Sequence, residues 1–494
     1  MSIFITKTEE PEQTIKQRLV KNSLLLVSAE AISKLTALLI QIIAARHLGS
    51  KGYGMFSYAF VGTGVLLNFV DHGFRVYITR EISNDFTKAK SILKNIIFLK
   101  KIITTISIVI ISTAYTIIPL DSKDLQVIFL ISIAMIVDGY SEINLGVFRA
   151  FEKMKEVSIL MISQRALFFI TGGLGILFLD FGIVQFATAF LLTTTLFFLI
   201  SRKMVRSLLD KEIFEQKSLN WRSVLENSTP ICLVIFFSYI YFRLDVAFLF
   251  FLHGKAEAGF YTASFKIIES LALLIAGMRT AVFPLISRDT FHDSRQLSYI
   301  SKEFYRISLI ICVPLSIGII LISNYLVEFL YGPVYTPTSS IMKIMGASFF
   351  LIVLNEFVIF LLLAVRKTQI AIKITFLAAT FNFTLNWILV PRWGIFGAAM
   401  AFAFTQLFIF SLAHMKLKKN LGLAFPIANI VWKPFLASAI VVFGVILSET
   451  HIVFELVLGG CLYIVSLILL RAFTEKDILL LRDFIIPDLL RKYF

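Results

Sequence analysis

Apolar stretches of about twenty residues recur along nearly the whole chain, and this pattern constrains the fold more than any single motif. About twenty helical residues cross the roughly 30 Å hydrocarbon core of a bilayer. In lipid the backbone has no water to bond, so each stretch must close its hydrogen bonds internally, as a helix. Fourteen stretches qualify: 22–45, 55–77, 96–118, 126–148, 157–179, 183–201, 224–251, 259–283, 304–325, 340–364, 370–390, 395–415, 430–448 and 452–470. The composition agrees. The chain is 58% hydrophobic and 16% charged, against about 45–50% and 25% for soluble domains. The expected fold is an all-α polytopic membrane protein of 14 transmembrane helices. Residues 1–21 are polar with mixed charge and no apolar core, so the first helix is expected to be retained rather than cleaved as a signal peptide.

The chain also repeats itself. Asn22-Ser23 is matched by Asn227-Ser228, Gly49 to Gly54 by Gly254 to Gly259, Phe56 by Tyr261 and Phe60 by Phe265. One offset of 205 residues aligns them all without a gap, which marks a duplication. A second set agrees at an offset of 212: Phe181-Gly182-Ile183 with Ala189-Phe190, against Trp393-Gly394-Ile395 with Ala401-Phe402. Helices 1–6 therefore correspond to helices 7–12. Six is even, so both copies insert the same way round and form two pseudo-symmetric six-helix lobes. The expected division is 1–21 as a cytoplasmic segment, 22–201 and 224–415 as the lobes, 202–223 as the linker, and 416–494 as helices 13–14 with a tail.

The net charge is +15. Loops on the side of the N-terminus carry 31 of the Lys and Arg residues and those on the other side 5. By the positive-inside rule both termini are expected to be cytoplasmic, and the expected location is the plasma (inner) membrane. Nucleic acid is not expected as a partner. The three cysteines, Cys232, Cys312 and Cys461, fall in apolar stretches without metal spacing and read as buried packing. There is no P-loop, H-E-x-x-H, C-x-x-C or G-x-S-x-G pattern. An enzyme is disfavoured and no cofactor or metal is expected.

The remaining 11 Lys and Arg residues lie inside predicted helices, where charge is costly unless it faces a cavity or a partner. Helix 1 carries Ser23, Glu30, Lys34 and Gln41, spaced 7, 4 and 7, on one face. Helix 2 carries Asn68, Asp71 and Arg75 on one stripe, and helix 4 carries Asp138, Glu142 and Arg149. Helix 7 has Thr229 and Arg243 with Asp245 close by, and Pro230 as a kink point. Helix 8 has Lys266, Glu269 and Arg279, while helices 10 and 11 add Asn355, Glu356, Lys373, Asn382 and Asn386. Glu30–Lys34 and Asp71–Arg75 are equally readable as structural pairs. Arg149 and Arg279, near helix ends, read as snorkelling to the interface. Arg165, Arg243 and Lys266 need a partner or an aqueous cavity. A cavity between the lobes lined by Lys34, Arg75, Arg165, Arg243 and Lys266 suits a phosphate or diphosphate.

These residues resemble a known family. Asp71-His-Gly-Phe-Arg75 with Thr79-Arg-Glu-Ile-Ser83 is similar to a "D-x-G … T-R-E" stretch, and Gly259 to Glu269 to a "G-x-Y-x-x-A-x-K" segment. Phe283-Pro-Leu-Ile-Ser287, Tyr331-Gly-Pro-Val-Tyr335 and Gly394-Ile-Phe-Gly-Ala-Ala399 follow in the same order. Together they resemble the Wzx-type polysaccharide/O-antigen repeat-unit flippases of the multidrug/oligosaccharidyl-lipid/polysaccharide (MOP) exporter superfamily. The resemblance implies a V of two bundles, alternating access, and a polyprenyl-diphosphate-linked oligosaccharide as substrate. It also implies H+ or Na+ as coupling ion, membrane lipids and polysaccharide polymerase or assembly proteins as neighbours, and roles for Arg75, Arg80 and Lys266. On that reading Glu30 or Asp71 is the expected carrier of the coupling ion. A cation-coupled multidrug antiporter of the same superfamily is the alternative. The extra helix pair and the intramembrane cations argue against it.

Overall fold

In a computed structural model the chain is described over residues 12–71, 73–117, 120–210, 220–272, 294–423, 427–448 and 452–472. His72, linker residues 211–219, the second half of predicted helix 259–283 with Arg279, the Phe283–Ser287 motif and the Ser23 side chain lie outside the description. Among the described residues no strand occurs. The helices are α1 (Glu12–Asp71), α2 (Phe74–Asn84), α3 (Ala89–Ile117), α4 (Ser122–Ala150), α5 (Met154–Phe168), α6 (Leu174–Leu179), α7 (Ile183–Asp210) and α8 (Trp221–His253). They continue with α9 (Lys255–Leu271), α10 (Ser294–Tyr331), α11 (Thr336–Ala347), α12 (Phe349–Ala364), α13 (Thr368–Leu421), α14 (Ile427–Ser448) and α15 (Ile452–Leu469). By length and apolarity eight of the described helices can cross a membrane, and nine if the bent pair Pro333–Ala347 and Phe349–Ala364 is one span.

Two of these helices are hairpins. At 60 residues, α1 would run about 90 Å if straight, three bilayer cores end to end. It reverses at Gly49 (φ 67°), and the Tyr53 hydroxyl reaches Gln41 Oε1 at 3.0 Å. Those two residues would stand about 18 Å apart along a straight helix. In α13 the reversal is at Gly394 (φ 51°). Asn382 then meets Thr405 at 3.3 Å and the rings of Phe381 and Phe408 stack at 4.4 Å. Each predicted turn, over Arg46–Gly54 and over Pro391–Gly394, is thus a single glycine. Only glycine takes a positive φ without strain, so helical bonding continues up to the reversal on both sides. Gly254 (φ 93°) plays the same part between α8 and α9, 205 residues after Gly49.

The predicted single helix 55–77 is broken at Gly73 (φ 67°) and resumes as α2. Predicted helix 157–179 is α5 and α6 joined by a π turn, Phe169–Gly173. Predicted helix 340–364 bends by 50° at Ser348, whereas α8 runs on through Pro230. Cys232 and Cys312 are buried, but Cys461 is exposed on α15, contrary to the expectation from its apolar neighbours. Apolarity does not distinguish a protein core from a lipid-facing surface.

The two halves of the duplication meet at their equivalent glycines. A Cβ on Gly54 would collide with the Lys255 carbonyl oxygen, and one on Gly259 with the Ser50 carbonyl oxygen. Residues 50 and 255, like 54 and 259, are related by the 205-residue offset, so the contact is reciprocal. Two cation contacts flank it. Arg46 donates to the Leu330 carbonyl at 2.7 Å and also to that of Phe329, at the C-terminal end of α10. Lys255 binds Asp124 and lies 3.7 Å from Asp121, at the start of α4. Tyr335 donates to the Ala45 carbonyl at 2.9 Å, and Tyr58 stacks on Phe250 at 3.8 Å. Small residues that let backbones touch are the usual means of joining helices in lipid. Here they close one end of the space between the halves.

Candidate functional site: a charged cavity between the repeats

Behind that closure lies a cavity of about 490 Å³ lined by α1, α2, α4, α5, α7, α8 and α9. Six cations face it: Lys34, Arg75, Arg149, Arg165, Arg243 and Lys266. Four carboxylates do: Glu30, Asp138, Glu142 and Glu269. Charges cannot be buried without partners except at a cost of several kcal/mol each, and the pairing here is incomplete. Arg243 and Lys266 reach Glu269 at 2.9 and 2.8 Å. Arg75 and Arg149 reach Glu142 at 3.1 and 3.7 Å. Asp138 accepts from Gln164 at 2.9 Å. Among the described residues Lys34 and Arg165 have no carboxylate within 4.0 Å.

Glu269 keeps 38% of its side-chain surface accessible although it sits deep in the protein, because that surface is cavity wall. The Arg243 guanidinium also lies 4.3 Å from the Phe265 ring centre. Stacking of this kind fixes the guanidinium plane and leaves its fork of donors available. Ser33, Gln41, Tyr53, Ser57, Thr262 and Ser270 add neutral hydrogen-bonding groups to the wall, and Phe60, Phe168, Phe186 and Phe190 an apolar side. Such a space can hold an anionic head together with a polar, aromatic-contacting body.

Residues 19–289, more than half of the chain, match the family described as "Polysaccharide biosynthesis protein". The chain belongs to the polysaccharide biosynthesis protein family. Among curated relatives it is 23% identical over 209 residues to a probable low-salt glycan biosynthesis flippase of Haloferax volcanii, 42% of this chain and 44% of that one. The aligned part spans less than half the length of the curated relatives it matches. The fold is shared with solved flippases and transporters. The lipid II flippase MurJ in an inward closed conformation superposes with a TM-score of 0.74 at 16% identity, over 91% of this chain and 99% of that one. The MATE multidrug transporter DinF-BH gives 0.63 at 17%, over 85% and 98%. A MOP superfamily transporter from Pyrococcus furiosus, reported for the reverse polarity of its binding pocket, gives 0.63 at 16%, over 82% and 96%.

Within this family member the structure brings most of the sequence-selected groups together. Glu30, Lys34 and Gln41 share the cavity face of α1, as their spacing requires, and Asp138, Glu142 and Arg149 share that of α4. The Glu30–Lys34 pair does not form within 4.0 Å among the described residues. Arg149, expected at the interface, lines the cavity instead, because Glu142 one heptad earlier holds it there. Asp71 and Arg75 do not pair, since the break at Gly73 turns them apart. Arg75 goes to Glu142, while Asp71 lies outside the cavity lining and takes the Lys100 ammonium at 3.0 Å. Lys100 is almost fully buried, also donates to the Gly139 carbonyl at 2.7 Å, and lies over the Tyr140 ring. Arg80 is exposed and pairs with Glu81 at 2.9 Å, away from the cavity, and Thr79 of the same motif bonds the Gly146 carbonyl of α4.

A second polar cluster sits inside the C-terminal repeat. Asp245 is fully buried. It accepts from Tyr261 at 2.5 Å, from Asn382 at 3.3 Å and from Asn386. Asn382 also meets Thr405, and Asn386 Oδ1 is buried without a hydrogen bond among the described residues. The sequence exposed these polar residues, but their convergence depends on the α13 hairpin, which no local pattern encodes.

Proposed function

We propose that this protein flips a polyprenyl-diphosphate-linked oligosaccharide from the cytoplasmic to the outer leaflet of the plasma membrane by alternating access. The observation that carries the reading is the cavity's surplus of cations, two of them without a carboxylate among the described residues, at the junction of the repeats. A diphosphate offers paired, multiply charged oxygens that planar guanidinium forks bind bidentately, and the neutral and aromatic wall suits sugar. Membership of the polysaccharide biosynthesis protein family supports a glycan cargo, and the flippase among its relatives supports leaflet transfer. The fourteen predicted segments are taken as fourteen crossings in two six-helix lobes plus a pair. Both termini are then cytoplasmic and the Gly54–Gly259 closure is outside. The closed outer end makes this the inward-facing half of the cycle. No step breaks a covalent bond, so the protein is a transporter rather than an enzyme.

The test is depletion of the protein, followed by probing lipid-linked oligosaccharide with an impermeant glycan-modifying reagent. Precursor should accumulate out of reach of the reagent and reappear outside on re-expression. Normal external precursor would reject the reading. It would promote the multidrug antiporter, whose cationic cargo the excess of positive charge disfavours.

For ion coupling, Glu30 remains on the cavity wall, but Asp71 is committed to Lys100. Asp245 suits the role better. It is a buried carboxylate surrounded by amide and hydroxyl groups that can turn either a proton or an oxygen towards it. Reconstituted Asp245→Asn protein is expected to lose the acceleration of flipping by an imposed H+ or Na+ gradient while keeping its fold. Acceleration equal to that of the unmodified protein would remove Asp245 from the mechanism.

A further inference from the structure

Glu142 and Glu269 are bound in the same way in opposite repeats. Glu269 Oε2 collects Arg243 Nη2 from α8 and Lys266 Nζ from α9. Glu142 Oε2 collects Arg75 Nη1 from α2 and Arg149 Nη1 from α4. In each case one carboxylate oxygen bridges two cations, and in each case all three groups line the cavity. Asp138, in the same cavity, accepts the Gln164 amide and bridges no such pair.

A single oxygen between two cations is also the geometry in which a phosphate or carboxylate oxygen of a ligand would be held. Two unscreened cations side by side in a low-dielectric site repel, so an empty cavity needs something in that position. We infer that Glu142 and Glu269 are exchangeable internal counter-ions, holding the places that anionic groups of the cargo take on loading. The inference rests on the reading of the cargo as a diphosphate-linked glycan and adds what sets its affinity. Loading exchanges one bridging anion for another instead of adding two new ion pairs. The cargo is therefore held loosely enough to leave, and the departing cargo is replaced by a carboxylate already tethered nearby.

The test uses the purified full chain in nanodiscs, with inorganic pyrophosphate as the probe in calorimetric titrations. Glu269→Gln removes the competitor and keeps both cations. It is expected to bind pyrophosphate about tenfold more tightly, the effect of about one charge-assisted hydrogen bond. Asp138→Asn removes the same unit of charge from the same cavity and is expected to change the affinity by less than about threefold. Because Glu269→Gln leaves two cations unpaired, Glu142→Gln provides the same comparison in the other repeat. The double variant Lys266→Gln/Glu269→Gln removes a cation together with its counter-ion and should return close to the unmodified affinity.

Equal or weaker binding by folded Glu269→Gln and Glu142→Gln overturns the inference, and so does the absence of pyrophosphate binding in every variant. Equal tightening by Asp138→Asn overturns it as well, since general charge would then suffice. Leaflet transfer of lipid-linked glycan is measured separately. If transfer fails while Glu269→Gln tightens pyrophosphate binding, the cargo is wrong and the counter-ion role stands.

Discussion

Arg243→Ala and Lys266→Ala are each expected to reduce glycan export by about a hundredfold or more while leaving the protein inserted and folded. The two cations come from different helices and converge on Glu269, so each also defines where the other can point. A charge-assisted hydrogen bond to the cargo contributes about 1.5–3 kcal/mol, and a guanidinium fork can make two of them side by side, so truncating the arginine forfeits both. Removing Arg243 also frees Glu269 to face the diphosphate of the proposed cargo with only Lys266 to balance it, adding repulsion to the missing attraction. Arg243→Lys keeps the charge but loses the fork and the stacking on Phe265, and should fall between. The measurement is external lipid-linked oligosaccharide per molecule of inserted protein. Near-normal export in both alanine variants would remove these residues from the cargo site.

The spacing of charges on α1 and α4 is enough to find much of this cavity, because helical periodicity is a local rule and both helices are continuous where it applies. The same rule misleads on helix 2. Asp71 and Arg75 are one helical turn apart in sequence, yet Gly73 interrupts the helix between them and sends them to Lys100 and Glu142. The register that would make them neighbours is broken by the residue that lies between them. Nothing local marks Lys100 as the partner of Asp71, because a lysine in an apolar run signals depth and not what it binds. The duplication is legible in the sequence, and it correctly marks Gly49 and Gly254 as equivalent reversals. What it cannot reveal is that Gly54 and Gly259 touch, since contact between two copies depends on the axis that relates them. The buried Asp245 cluster is hidden for a similar reason: Asn382 and Thr405 are brought together by a hairpin turning on one residue.

That contact carries the other large expected effect. Gly54→Val and Gly259→Val should each stop transport with little loss of folded protein, and to a similar extent, because the glycines are exchanged by the pseudo-twofold relation. Any side chain at Gly54 would meet the Lys255 carbonyl, and at Gly259 the Ser50 carbonyl. Backbone cannot step aside as a side chain can. Overpacking of this kind costs about 1–3 kcal/mol, which displaces the equilibrium between closed and open outer ends by roughly ten- to a hundredfold. The cost arises only while the two halves are shut, so the outward-open form that the proposed alternating access requires is spared and the fold persists. Arg46 and Lys255 would still reach across, but salt bridges and caps at an exposed rim contribute too little to offset the clash. The check is a cysteine placed at Ser57, on the cavity wall, in a chain whose Cys232, Cys312 and Cys461 have been replaced. An impermeant maleimide added outside should label it several-fold faster in the valine variants than in the parent, as transport falls. Unchanged labelling with normal transport would mean that the two glycines mark close packing alone, and that the outer end opens somewhere else.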